Sequence, residues 1–162
     1  MKGIGMDNRR KWDLRFLLLA EMVGGWSHDR TKVGAVIIDN DKRIVSVGYN
    51  GFPKNIDDTQ ERYDDRTLKL QFILHAENNA ILFSQRNLSG MTLFTFPFIC
   101  CSNCAALVIQ SGIKRVVSPK LPENLMERWK ENTDLSKSLF DEAKVEWLEL
   151  DWVEIEKFKK EN

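Results

Sequence analysis

Apolar and polar positions along this chain change period several times, and each change predicts an element. From 12 to 23, "WDLRFLLLAEMV" repeats apolar side chains at helical spacing through Trp12, Phe16, Leu19 and Val23. It then meets Gly24-Gly25, which predicts a helix and its end. "KVGAVIID" and "RIVSVGYN" are β-branched runs joined by "NDK", the pattern of a hairpin. The stretch 51–69, "GFPKNIDDTQERYDDRTLK", is polar and reads as a loop, long enough to bind something rather than merely connect. Helical spacing returns in "HAENNAILFSQRN" at Ala76, Ala80, Ile81 and Phe83, with Gly90 beyond its end. "MTLFTF" reads as a strand, "CSNCAALVIQSG" as a helix closed by Gly112, and "IKRVVS" as another strand. After Pro119 and Pro122, "NLMERWKENTDLSKSLFDEAK" reads as a helix and "VEWLEL" as a last strand, leaving "EIEKFKKEN" as a frayed or helical end.

Strands alternating with helices predict an α/β fold with one sheet between helix layers. No repeat, low-complexity tract or linker divides the 162 residues, so one domain over 1–162 is expected. Hydrophobic residues make up 43% of the chain, with five Trp and nine Phe, which argues for a folded core. Lys plus Arg and Asp plus Glu stand at 24 each, so the formal net charge is zero. That balance argues against a nucleic-acid polymer as partner. No apolar run approaches membrane-spanning length, and "MKGIGMDNRRKWD" lacks the apolar core of a signal peptide, so no membrane partner is expected. All three cysteines fall in "CCSNC", an odd, clustered set that predicts reduced thiols in a cytoplasmic setting.

Those cysteines change the picture most. Cys101 and Cys104 stand three apart at a helix start, so both sulfurs can face one point, and the positive helix end favours thiolate. Cys100 and Cys104 are four apart and share a helical face equally well, so spacing alone leaves the pair open; the position of the helix start favours Cys101 with Cys104. His75, at the start of the other predicted helix, offers an imidazole as third ligand. Two thiolates and one imidazole, with a fourth position left for water, is the donor set of a catalytic zinc site. Glu77, two residues on, is placed to exchange protons with that water. A lone CxxC is equally a chance pair or a redox motif; the HAE upstream turns the reading toward metal. H-x-E with CxxC is the signature of zinc deaminases.

The chain resembles the deoxycytidylate (dCMP) deaminases of the zinc-dependent cytidine deaminase superfamily. The likeness runs through "WDLRFLLLAEMV", "TKVGAVIIDNDKRIVSVGYNGFP", "HAENNAI", "MTLFTF" and "CSNCAALVIQSGIKRVV", and the closing "LSKSLFDEAKVEWLEL" is similar to the family's last helix and strand. HAE with CxxC belongs to the whole superfamily, whereas "GYNGFP" with "HAENNAI" and "QSGIKRVV" is specific to the dCMP branch. The resemblance implies a three-layer α/β/α fold with a mixed sheet of about five strands. It implies Zn²⁺ on His75, Cys101 and Cys104, with Glu77 as proton shuttle. Some relatives hold a second, structural zinc, but with only two His and three Cys one Zn²⁺ per subunit is expected here. The activity implied is hydrolysis of dCMP to dUMP and ammonia, supplying dUMP for thymidylate synthesis. It further implies that Asn50 holds the sugar and that the backbone around Ala76 faces the pyrimidine. Relatives are commonly homo-oligomers, hexameric or dimer-based, in which dCTP with Mg²⁺ activates and dTTP inhibits. The regulatory nucleotide lies near GYNGFP, hence near Gly51, Phe52, Pro53, Lys54 and Asn55.

Two departures stand out. Cys100 occupies the place of the usual proline, with Pro97 three positions earlier, so the loop lacks that fixed φ. "SHDRTKVGA" is one residue shorter than the family's pattern, in a loop expected near the substrate phosphate. His28 and Arg30 in that loop are candidate anion contacts, or else solvated loop residues. Phe52, Arg62, Tyr63 and Arg66 could close over base or phosphate, or else cover a neighbouring subunit or simply face water. Other zinc deaminases, acting on cytidine, dCTP, guanine, a modified dCMP or tRNA adenosine, are the alternatives, the last disfavoured by the charge balance. A non-catalytic nucleotide-binding module predicts a damaged HAE or CxxC, and both motifs are intact.

Overall fold

The computed structural model describes residues 6–162. Helix α1 (Asn8–Gly24) begins earlier than its apolar repeat because the Asp7 side chain accepts from the Arg9 amide at the first turn. Strands β1 (Gly34–Ile38) and β2 (Ile44–Tyr49) form the expected hairpin. Its turn is closed by the Asp39 carboxylate, which accepts from the Asp41 and Arg43 amides, each at 2.9 Å. Then follow α2 (Gln60–Asp64), α3 (Arg66–Phe72), α4 (Ala76–Ser84), β3 (Thr92–Phe96), α5 (Ser102–Gln110) and β4 (Arg115–Pro119). A 3-10 turn (Glu123–Leu125), α6 (Met126–Glu142), β5 (Glu146–Leu150) and α7 (Trp152–Glu161) complete the chain.

The sheet has five strands in the order β2-β1-β3-β4-β5. β1 runs antiparallel to β2 and β3, while β3, β4 and β5 are parallel, so the sheet is mixed as expected. Period-two alternation sorts each inner strand between two cores. Ala35, Ile37, Leu93 and Val116 face α4, α5 and α6 through Ala80, Val108 and Phe140. Val36, Phe94 and Val117 face α1 and α7 through Leu14, Leu17, Ile155 and Phe158. Leu14, Leu17 and Ile155 are fully buried, so each stabilises the fold by roughly 1.5–3 kcal/mol. The result is the three-layer α/β/α arrangement.

Two segments differ from their expected form. The 51–69 stretch contains α2 and part of α3, both short and largely exposed, which is why no apolar period announced them. Asp65 separates them and accepts from the Leu68 amide at 3.0 Å, capping α3, and Tyr63 stacks on Phe52 at 4.2 Å to anchor α2. The C-terminal stretch is an ordered helix, because Ile155 and Phe158 bury against the second core and the Trp152 indole donates to the Lys120 carbonyl at 2.8 Å.

Gly48 sets how closely α4 can approach the sheet. A methyl group there would lie 2.3 Å from the Ala76 carbonyl oxygen and 2.5 Å from the Ala80 nitrogen. Only glycine lets β2 carry the start of α4 at this depth.

Candidate metal centre and substrate cavity

His75 and Cys101 are equivalent by construction: each is the residue preceding the first turn of a helix, α4 and α5, with extended backbone. Neither side chain caps its own helix, so both are free to turn toward one point. Cys104 joins them from the first turn of α5. The three ligand atoms lie within 4.8 Å of one another. His75 Nδ1 is 3.2 Å from Cys104 Sγ and 3.4 Å from Cys101 Sγ. Zinc bonds of about 2.3 Å to sulfur and 2.0–2.1 Å to nitrogen at tetrahedral angles put such atoms roughly 3.5 Å apart. The three residues therefore fit Zn²⁺, in spacing and in chemistry. Cys101 is the more acidic thiol, because Cys104 and His75 both donate to its thiolate. The same contact raises the His75 pKa. Cys100 stays outside this cluster; its thiol is buried, which pushes its pKa up, and its carbonyl accepts from Ser136 Oγ at 2.7 Å.

Glu77 is 3% exposed, and burial raises its pKa. Among the described residues its one side-chain hydrogen bond comes from Thr95 Oγ1, which donates to Oε1 at 2.6 Å from the fully buried middle of the sheet. Thr95 was legible only indirectly: in "TLFTF" it alternates onto the same face as Leu93, a polar residue in an apolar position. Ala76, between ligand and carboxylate, is fully buried.

A cavity of about 570 Å³ opens onto His75, Glu77 and Cys101. Asn50 lies on its wall, with its amide turned into the adjoining loop: Nδ2 donates to the Thr31 carbonyl at 2.8 Å and Oδ1 accepts from the Val33 amide at 3.0 Å. Arg30 is also on the wall, 83% exposed and paired with Asp64 at 3.1 Å. His28 is not among the lining residues and pairs with Asp58. Gly51, Phe52, Pro53, Lys54 and Asn55 lie outside the lining too, joined to it through the Phe52–Tyr63 stack. Sequence reading missed the contribution of the 3-10 turn and α6, which bring Leu125, Arg128 and Trp129 to the cavity. The stretch was read as a helix, but the sequence did not say where that helix would lie. A larger groove of about 980 Å³ beside α6 and α7 contains none of the three ligands, and chemistry rather than size singles out the smaller one.

A nitrogen and two sulfurs gathered at two helix starts, beside a buried carboxylate on an α/β/α frame, define the zinc deaminase class. Residues 10–119 match the family described as "Cytidine and deoxycytidylate deaminase zinc-binding region", and the chain belongs to that family. It is 46% identical over 144 residues to the "Uncharacterized deaminase in luxG 3'region" of Aliivibrio fischeri, covering 87% of this chain and 96% of that one. It is 40% identical over 118 residues to the "Probable deoxycytidylate deaminase" of Drosophila melanogaster, covering 65% of this chain and 58% of the relative, so it spans little more than half of that protein. Among solved structures, dCMP deaminase from the cyanophage S-TIM5, in complex with dCMP and dUMP, aligns with a TM-score of 0.66 at 25% identity over 90% of this chain and 99% of that one.

Proposed function

We propose that this chain, acting as one domain, is a zinc-dependent hydrolase that converts dCMP to dUMP and ammonia. The observation that carries the reading is the buried Glu77, held by Thr95 two residues from a ligand and open to the cavity. The named activities of the fly and phage relatives support the substrate. Zinc bound to His75, Cys101 and Cys104 would supply the Lewis acidity that brings deprotonation of water into the neutral range. Glu77 accepts one proton of the attacking water and passes it to N3 of the cytosine. It then carries the water's second proton to the 4-amino group, which leaves as ammonia, and the carboxylate ends as it began. The raised proton affinity that burial gives Glu77 suits a group that must hold a proton briefly at neutral pH. Thr95 restrains the rotamer so that one oxygen stays on the sheet side.

Asn50 borders the sugar and the backbone at Ala76 borders the ring in this reading. We assign a regulatory dCTP with Mg²⁺ to Gly51–Asn55, supported by the stack that links Phe52 to the cavity residue Tyr63. The enzyme would work in the cytoplasm as a homo-oligomer, hexameric or dimer-based; no helix among the described residues is long and apolar enough to cross a membrane. Metal analysis with an ammonia-release screen over dCMP, dCTP, deoxycytidine, cytidine and guanine tests the proposal. One zinc per subunit and preferential release from dCMP is the expected result. Preference for another compound would overturn the substrate assignment, and full activity without metal would overturn the mechanism.

A further inference from the structure

We propose that Arg66 and Arg128 together form the site for the substrate's phosphate monoester, so that the first turn of α6 makes this chain select nucleotides over nucleosides. The inference rests on the deaminase reading above and assigns residues to the part of the substrate that this reading leaves without partners.

Among the described residues five Lys and Arg side chains line the cavity: Arg30, Lys32, Arg66, Lys69 and Arg128. Three are already engaged. Arg30 pairs with Asp64, Lys69 with the buried Asp29 at 3.2 Å, and Lys32 donates to the Ser27 carbonyl. Arg66 and Arg128 have neither a carboxylate nor a carbonyl partner among the described residues. A phosphate monoester carries about two negative charges at neutral pH, and guanidinium groups bind its oxygens in a bidentate fork. Two uncompensated guanidiniums on the wall that also carries His75 and Glu77 match that charge.

Arg128 is held in place from the metal side. Its guanidinium lies 5.3 Å over the Trp129 ring, and Trp129 packs on Phe98 at 5.5 Å. One turn on, Asn132 accepts from the Ser102 amide at 3.0 Å and donates to Ser102 Oγ at 3.2 Å. Ser136 then bonds the Cys100 carbonyl. Phe98, Cys100 and Ser102 flank Cys101, so α6 is fastened to the ligand loop at three points. The helix that carries Arg128 is thereby braced against the ligand loop before substrate arrives, which lowers the ordering cost of binding. This helix lies beyond residues 10–119, the stretch the chain shares with the family description.

The test compares kcat/KM for dCMP and deoxycytidine in the zinc-loaded wild type, R66A, R128A and R128K, with calorimetric titration of dUMP alongside. Both arginines are exposed, and thermal melts confirm that the variants fold. Each alanine variant should lower the dCMP-to-deoxycytidine ratio by about tenfold or more, chiefly through KM, with R128K intermediate. Wild type that deaminates dCMP, with that ratio unmoved in both alanine variants, overturns the proposal and leaves the deaminase reading intact. If no cytosine compound releases ammonia, that reading falls, and the dUMP titration decides: weaker binding in R66A and R128A upholds the phosphate site, and equal binding overturns it.

Discussion

Replacing Thr95 by valine removes one hydroxyl and keeps the shape. Thr95 Oγ1 is the donor to Glu77 Oε1 at 2.6 Å, and both residues are buried. A hydrogen bond to a charged group contributes about 1.5–3 kcal/mol, and a buried carboxylate left without its donor cannot recover that from solvent. The loss falls on the ionised form, so the variant shifts Glu77 further toward the protonated state. Burial already raises this pKa in the folded protein; a carboxyl group with a raised folded pKa binds protons more tightly folded than unfolded. Stability therefore falls as pH climbs from the ordinary carboxylate range through the folded pKa, and is level above it. In T95V that decline extends to higher pH and is deeper by the lost hydrogen bond. Urea denaturation should show the variant about 1.5–3 kcal/mol less stable at pH 8, with a smaller difference at pH 5. The acid limb of kcat/KM, where activity fades as Glu77 takes up its proton, should move to higher pH, and T95S should restore it. An acid limb that stays put, or a stability loss equal at both pH values, would refute the assignment of Thr95 as the residue that controls this carboxylate.

Glu77→Gln should keep one equivalent of zinc by elemental analysis yet lose roughly 10²–10⁴-fold in kcat, the usual contribution of a positioned acid–base group. Cys101→Ala and Cys104→Ala should each abolish tight metal binding, while Cys100→Ala keeps it, because the Cys100 thiol lies outside the ligand cluster; a metal-binding titration separates the three. Gly48→Ala should destabilise the fold by about 1–3 kcal/mol or more and lower zinc occupancy, since the added methyl meets the Ala76 carbonyl at 2.3 Å and displaces α4 with His75. Dialysis against a chelator should abolish ammonia release, and zinc should restore it.

Much of the frame could be read from the chain. Apolar repeats announced α1 and α4, β-branched runs announced β1 and β2, and the remaining strands and α5 and α6 were also read in their places. The 51–69 stretch resisted because α2 and α3 are short and largely exposed, held by a cap, aromatic contacts to Phe52 and ion pairs to Asp29 and Arg30 rather than by an apolar stripe. The choice between Cys100 and Cys101 was undecided by spacing, since both can share a face with Cys104. Tertiary structure separates them: α5 begins at Ser102, so Cys101 points from the helix entrance while Cys100 is drawn into the core under Ser136.

The motifs HAE and CSNC determined the donor types and the carboxylate by themselves, because zinc chemistry constrains residue identity and close spacing. What they did not determine is everything that depends on distant segments meeting. Thr95 reaching Glu77, Asn132 and Ser136 bracing the ligand loop, and Arg128 arriving at the cavity are contacts across 18 to 36 positions or more. Such contacts have no local period to announce them. They exist because burying both faces of one sheet leaves each helix a single place to lie, and that packing alone decided which side chains surround the site.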